Sequence, residues 1–245
     1  MEGPTLVREA LESGLRVLEI YAEPDAEIGL ADLARDAGVP IRLVATGALD
    51  SVLSTVSPQP AVAIVERASW TLADLAEDRA VLVLLDVRDP GNVGTLCRTA
   101  EAAGFAGMVL AGSSVDPTNP KVVRAAAGAS LRLPIVEHPL HECSGIAPLV
   151  DALRRQKRAV LGAALGPDSV AHDAVDLRTA AIVLGNEARG LDRGDLERFD
   201  RSIIIDLDGP TESLNVAAAG AVLCFESLRQ RRTGRPGRNT DRPQA

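Results

Sequence analysis

The sequence predicts an α/β protein in which a small N-terminal α/β domain precedes a larger one. Three observations predict this class. Apolar runs of strand length alternate with helical stretches along the 245 residues, the pattern of a largely parallel sheet covered on both faces. The run Val81–Val87 is apolar without interruption, as a strand buried on both faces must be. Three polar blocks each follow such a run, and open α/β sheets bind ligands at the carboxyl ends of their strands.

Taken in order, Leu15–Tyr21, Ile41–Ala45 and Ala61–Val65 read as short strands. Leu30–Ala37 and Ala48–Leu53 read as helices, the first stopped by Gly38-Val39-Pro40. Glu66–Ala80 has no strand, holds the only tryptophan, Trp70, and reads as a connector. A second series follows: Val81–Val87, Met108–Leu110, Leu133–Val136, Ala159–Ala164, Ala180–Leu184 and Ser202–Ile205 as strands, most of them separated by helical stretches. The last helix, Ser213–Leu228, has almost no polar face, so it is expected to be buried on all sides, within a monomer core or between subunits. The expected division is 1–66 as a small domain, 67–80 as connector, 81–228 as the larger domain and 229–245 as a basic, disordered tail. No internal repeat of fixed period occurs.

Composition narrows the function classes. Aromatics make up 2% of the chain, so the core must be aliphatic, and lysine occurs only at 121 and 157, so positive charge is nearly all arginine. No apolar run reaches the roughly 18 residues of a membrane span. Met1-Glu2-Gly3-Pro4 lacks the basic and apolar regions of a signal peptide. A cytoplasmic protein is therefore expected. Cys97, Cys143 and Cys224 are odd in number and far apart, which points to reduced thiols rather than a disulfide framework or a CxxC metal site. His138-x-x-His141-x-Cys143 has only loose ligand spacing, and no metal is expected. The net charge of −8 argues against a general nucleic-acid coat, but it is unevenly spread: −7 over 1–66, −6 over 67–228 and +5 over 229–245. That tail could contact phosphates.

The first block is Asn92-Val93-Gly94-Thr95-Leu96-Cys97-Arg98. Pro90-Gly91-Asn92 forms a turn with Asn92 as helix N-cap, and Gly94 permits a close approach to the first turn. Arg98, six residues on, calls for an anionic partner on an Ala-rich helix. That partner is a ligand or a nearby carboxylate such as Asp86. The second block is Leu184-Gly185-Asn186-Glu187-Ala188-Arg189-Gly190-Leu191. Gly185 exposes backbone at a strand end, and Glu187 either fixes Arg98, bonds a ligand or favours a helix N-terminus. The third is Ser213-Leu214-Asn215-Val216-Ala217. Here Ser213 is the candidate N-cap, Pro210-Thr211-Glu212 is a loop that could wrap a ligand, and Asn215 needs a partner or a capping role. There is no GxGxxG after a strand, no GxxxxGK[ST] and no GxSxG, so dinucleotide, P-loop and hydrolase readings lack support.

Together the blocks resemble the three motifs of the SpoU (TrmH-like) branch of the SPOUT RNA methyltransferases, over about residues 81–228. The resemblance implies a SPOUT domain whose C-terminal segment threads a trefoil knot, otherwise nearly absent from proteins, a knot crevice for S-adenosylmethionine, and a homodimer. It also implies that the N-terminal part is a substrate-binding domain related to the L30e-like fold. Gly185, Ile205 and Leu214 stand 20 and then 9 residues apart, as the family spaces its cofactor contacts. The implied cofactor residues are Ala164, Leu184, Gly185, Asn186, Ile205, Leu207, Ser213, Leu214 and Ala217. The implied catalytic group is Arg98, with Asn92, Glu187, Ser213 and Asn215 orienting it and the ribose.

The reaction so implied is methylation of a ribose 2′-hydroxyl in RNA, with 23S rRNA as the expected substrate. A guanidinium stays charged in proteins, so Arg98 would stabilise the developing alkoxide and hold the adjacent phosphate. Three alternatives stay open: a tRNA 2′-O-methyltransferase, an inactive RNA- or ribosome-binding module, and an oxidoreductase on a Rossmann-like sheet.

Overall fold

The structure is a computed structural model, and it describes residues 1–50, 52–53, 58–140, 145–166 and 168–234. The chain opens with α1 (Pro4–Glu12), β1 (Val17–Ala22), α2 (Pro24–Glu27), α3 (Ala31–Asp36), β2 (Ile41–Leu43) and β3 (Ala61–Val65). Next come β4 (Val81–Leu85), α4 (Pro90–Ala102), β5 (Gly107–Ala111), α5 (Pro120–Ala126), α6 (Ala129–Arg132) and β6 (Ile135–His138). The rest is α7 (Ala147–Arg155), β7 (Val160–Ala163), β8 (Val170–Ala171), β9 (Ala181–Leu184), α8 (Arg193–Leu196), β10 (Arg201–Ile204) and α9 (Val216–Thr233). The chain forms two compact units, one of Met1–Ser69 with Ala127–Arg132, the other of Trp70–Ala126 with Leu133–Ala245.

In the first unit β1 lies between β2, to which it is parallel, and β3, to which it is antiparallel. Strand alternation turns Ile20, Ala22, Ala61 and Ala63 inward. They meet Val7 and Ala10 of α1 and Leu30 and Ala34 near α3, all buried in one cluster. The helix expected over Ala48–Leu53 does not form across the described residues: 46–50 and 52 are turns, and Ser51 lies outside them. Gly47 sits at φ +78°, and Leu49 is the sole buried residue of 46–50, so no apolar stripe exists to hold a helix down.

In the second unit seven strands, all parallel, run in the order β6-β5-β4-β9-β7-β10-β8. Every position of β4, β5 and β9 is buried, which explains their uninterrupted apolar sequences. The order positions the site. β9 pairs with β4 in the register Leu84↔Leu184, so their carboxyl ends lie side by side although a hundred residues separate them. Arg158, 2% exposed, gives its guanidinium to the carbonyls of Ala76, Arg79 and Thr179. It thereby fastens residues 76–79 to the sheet. Burial lowers its pKa, against the opposing pull of Glu77 and Asp78.

The last helix departs from expectation in three ways. It starts at Val216 and runs to Thr233, five residues past Leu228. Its extra turn is held by polar groups: Gln230 accepts from Leu177 N (2.8 Å) and donates to Val175 O (3.0 Å), and Ser227 donates to Leu177 O (2.8 Å). It is not buried all round. Ala217, Gly220, Leu223, Cys224, Ser227 and Gln230 form one buried stripe, while Val222 and Phe225 are 38% and 51% exposed. A Cβ on Gly220 would lie 2.2 Å from Leu96 Cδ2, so glycine sets how closely α9 meets α4. Residues 235–245 of the expected tail lie outside the described residues.

Candidate active site at the carboxyl edge of the sheet

Helix α4 carries the first block. Its N-cap is Asp89, not Asn92: the Asp89 carboxylate accepts from Asn92 N at 2.8 Å, with Pro90 preset as the first helical residue. Asn92 therefore sits in the first turn with its side-chain amide free for other work. Gly94 does permit a close approach, but by the chain's own α5, since a Cβ there would lie 2.4 Å from Ala125 Cβ and 2.6 Å from Val122 O.

That side-chain amide links the three blocks. Asn92 Nδ2 donates to Glu187 Oε1 at 3.2 Å, and Asn92 Oδ1 accepts from Asn215 Nδ2 at 3.2 Å. Asn215 Oδ1 in turn accepts from Ala217 N (2.8 Å) and Ala218 N (3.3 Å), which makes Asn215 the N-cap of α9 in place of Ser213. Glu187 also accepts from Asp89 N (3.0 Å) and Arg88 N (3.4 Å). Partial burial works against its ionisation. The hydrogen bonds from Asp89, its own backbone, Asn92 and Arg88 outweigh it and hold the carboxyl below the usual glutamate range.

Arg98 stands apart from this chain. It is exposed and has no hydrogen-bond or ion-pair partner among the described residues. The Asp86 carboxylate accepts from Ser113 N at 2.6 Å instead, and Glu187 is engaged by Asn92. Neither of the two protein partners considered for Arg98 holds it, so its charge is available to a ligand.

The loop after β9 turns back at once. Asn186 and Gly190 exchange backbone hydrogen bonds (3.1 and 2.8 Å). A Cβ on Gly185 would lie 2.4 Å from Gly190 C and O. The close contact that Gly185 permits is thus to its own loop. Asn186 Oδ1 accepts from Ala188 N and Arg189 N (3.0 and 3.1 Å), and Asn186 Nδ2 donates to Asp86 O at 2.9 Å.

A cavity of about 420 Å³ opens beside the ends of β7 and β10 and under the loop leading to α9. Among the expected cofactor residues, Ala164, Ile205, Leu207, Ser213 and Leu214 line it. Leu184, Gly185, Asn186 and Ala217 do not: Leu184 and Ala217 are buried, and Gly185 and Asn186 form the turn just described. Asp206, Thr211 and Glu212 also line it. Of these, only the 210–212 loop was marked by its turn-forming residues.

The cavity volume suits a nucleoside-sized ligand. Its aliphatic walls, Ile203, Ile205, Leu214 and Leu223, suit a flat ring, and the carboxylates of Asp206 and Glu212 suit a cationic group. S-adenosylmethionine has these features.

Among the described residues no cluster of three or more metal-ligating side chains occurs, and no helix is long and apolar enough to cross a membrane. His138 ends β6, while His141 and Cys143 lie outside the described residues. Cys97 and Cys224 are buried, and burial pushes the Cys224 thiol up to about 12, so it is not a nucleophile.

Comparisons with known proteins show the family and the fold. The family model described as "SpoU rRNA Methylase family" matches residues 79–225. One described as "RNA 2′-O ribose methyltransferase substrate binding" matches residues 1–71. The chain is 34% identical over 225 residues to the 23S rRNA (guanosine(2553)-2′-O)-methyltransferase RlmP of Bacillus subtilis, covering 92% of this chain and 86% of that protein. It is 35% identical over 211 residues to the 23S rRNA (guanosine-2′-O-)-methyltransferase RlmB of Xanthomonas axonopodis pv. citri, covering 82% of each. Among solved structures, the AdoMet-bound rRNA methyltransferase from Sinorhizobium meliloti superposes with TM-score 0.80 at 29% identity, covering 94% of this chain and 86% of that one. The SpoU methyltransferase AviRb from Streptomyces viridochromogenes, in complex with AdoMet, gives 0.82 at 26%, covering 96% and 91%.

Proposed function

Since this chain belongs to the SpoU rRNA methylase family, we propose how its own residues carry out the reaction of that family. The protein is an S-adenosylmethionine-dependent RNA 2′-O-methyltransferase acting on rRNA. The cofactor supplies an electrophilic methyl group on a sulfonium centre.

The observation that carries the site reading is the hydrogen-bonded chain Glu187–Asn92–Asn215 at the start of α4, with Arg98 further along the same helix, exposed and without a partner among the described residues. Arg98 offers a planar cation that no carboxylate among the described residues neutralises. It can hold a phosphate and stabilise the negative charge that grows on the 2′-oxygen. Glu187 holds the Asn92 amide in one orientation, and Asn215 ties the start of α9 to that amide. The three blocks thus keep the start of α4 and the start of α9 in fixed relation, the kind of positioning on which much of such a rate depends. Ala164, Ile205, Leu207, Ser213 and Leu214 would hold the cofactor in the cavity, and Asp206 and Glu212 would face its positive charge. Arg88 and Arg189, exposed on the same edge, favour approach of a polyanion there.

The exposed apolar residues Val222 and Phe225 support a homodimer formed through α9, a helix apolar on more than one side. The insertion of β9 between β4 and β7 is compatible with the trefoil knot of the family. The 23S rRNA is the substrate favoured by the curated relatives, and the cytoplasm the compartment in which such a substrate is met. Mapping 2′-O-methyl groups on rRNA and tRNA with and without the protein tests the whole reading. A single gained methylation on 23S rRNA is expected, whereas a gain only on tRNA selects the tRNA alternative. Absence of any methyl transfer, with S-adenosylmethionine unbound in calorimetry, overturns it.

A further inference from the structure

Among the described residues, three other than glycine adopt a left-handed backbone: Asp86 (φ 57°), Ala127 (φ 48°) and Lys157 (φ 59°). Lys157 closes the C-terminus of α7 and Ala127 that of α5, where such a conformation is common. Asp86 does not end a helix. It follows the buried strand β4 and still donates its N–H to Ala111 O at 3.2 Å, as a strand residue would. The chain then turns sharply into Val87-Arg88-Asp89 and α4. A strained residue at this point needs holding by its surroundings.

The surroundings hold it from two sides. The Asp86 carboxylate accepts from Ser113 N at 2.6 Å, in the loop after β5. Gly112, itself at φ +65°, makes room for it, since a Cβ there would lie 2.4 Å from Asp86 Oδ1. The next residue is fixed by the same loop: Val87 N donates to Ser114 Oγ at 3.1 Å, and Val115 N donates to Val87 O at 3.0 Å. On the other side the Asp86 carbonyl accepts from Asn186 Nδ2 at 2.9 Å. Asn186 closes the turn that carries Glu187, and Glu187 in turn holds Asn92 and the backbone of Arg88 and Asp89.

We propose that Asp86 is a positioning residue for methyl transfer. Its carboxylate, gripped by the loop after β5, fixes a left-handed turn that aims its carbonyl at Asn186 and so sets Glu187 against Asn92. The assignment rests on the function proposed above for that chain. Asp86 itself touches neither substrate nor cofactor.

Substitutions that separate backbone freedom from hydrogen bonding test it. Asn tolerates left-handed backbone and its amide oxygen can accept from Ser113 N, so Asp86→Asn should keep a near-normal kcat. Asp86→Gly permits the turn but loses the grip of Ser113 N on the side chain. Asp86→Ala loses both. Both variants should lose kcat by about 10- to 100-fold, the effect of a small misplacement of reacting groups, with KM for RNA and Kd for S-adenosylmethionine little changed. Amide exchange of residues 186–190 should be faster in Asp86→Ala and Asp86→Gly than in Asp86→Asn.

A folded Asp86→Ala with wild-type kcat overturns the assignment. So does a loss that follows only the folded fraction in a thermal melt. An Asp86→Asn variant as impaired as Asp86→Ala also overturns it, because the charge itself would then be at work. If the wild-type protein transfers no methyl group, the proposed function fails. The exchange rates still decide whether Asp86 holds the 186–190 turn, since they need no activity.

Discussion

Asn215 caps α9 with its side-chain oxygen and gives its side-chain nitrogen to Asn92 at 3.2 Å, across 123 residues of chain. One amide thus does two jobs that different substitutions can separate. Asp caps helices as well as Asn but has no N–H to donate. In Asn215→Asp two acceptor oxygens would face each other. The expected outcome is a melting temperature near that of the wild type and a kcat lower by about 10- to 100-fold. Asn215→Ala should show the same loss of rate together with about 1 kcal/mol of stability, the cost of a missing cap. Single-turnover methylation and thermal melting of the two variants check this, and equal stability loss in both would contradict it.

Arg98 has no partner to lose among the described residues, so its removal should leave the fold alone. Arg98→Ala should lower kcat by roughly 10²- to 10⁴-fold, the range of positioned proton-transfer and oxyanion groups, with the melting temperature and S-adenosylmethionine affinity little changed. Arg98→Lys should rescue poorly, because an ammonium has no planar fork to hold two oxygens at once. Near-normal turnover by the alanine variant would end this role.

Glu187 supplies the pH prediction. Its carboxyl lies below the ordinary value in the folded protein, the case in which a group contributes stability above its unfolded pKa and loses it as pH falls through the lower folded value. The unfolded value is about 4.3. From about pH 6.5 to pH 9, well above the ordinary glutamate value, Glu187 is therefore ionised, and no inflection of the rate should come from it. Glu187→Gln turns an amide N–H₂ either on Asp89 N and Asn92 Nδ2, which share Oε1, or on Arg88 N and Asn186 Nδ2, which share Oε2, and should lose activity by a factor that is constant across that range. A wild-type to mutant ratio that varies with pH there would assign Glu187 a titrating role instead.

The exposed face of α9 predicts association. Sedimentation at micromolar concentration should show a dimer. Phe225→Asp, which places a charge on a residue 51% exposed in the single chain, should yield a folded monomer. An active wild-type monomer would remove the interface.

If the displaced 186–190 turn borders the cofactor, as the family resemblance implies for Gly185 and Asn186, Gly185→Val should abolish S-adenosylmethionine binding in calorimetry while circular dichroism shows the sheet retained. A side chain at 185 has no room against Gly190, so the 186–190 turn must shift while β9, buried in the middle of the sheet, stays. Unchanged affinity in the folded variant would separate this turn from the cofactor site.

The strand-forming runs, the two-sided burial of the central strands and the position of the three polar blocks at strand ends were legible in the amino-acid sequence. All are local signals. A buried parallel strand must be apolar throughout, and a block that follows it must lie at the carboxyl edge. Asp89-Pro90 was a legible N-cap pair, although Asn92 reads more easily as the cap.

The remaining features depend on residues far apart in the chain competing for the same partner. That β9 lies beside β4 follows from no local pattern, yet it brings Glu187 to Asn92. Gly94 and Gly185 read as openings for a ligand, and the close contacts turned out to be Ala125 and Gly190 of the same chain. The left-handed turn at Asp86 gives no sign in an Asp-Val-Arg-Asp stretch, because the strain is carried by Ser113 and Asn186, 27 and 100 residues away. The apolar surround of α9 predicted burial on all sides, whereas the packing buries one stripe and leaves Val222 and Phe225 exposed, since α4 and the sheet reach a single side of the helix.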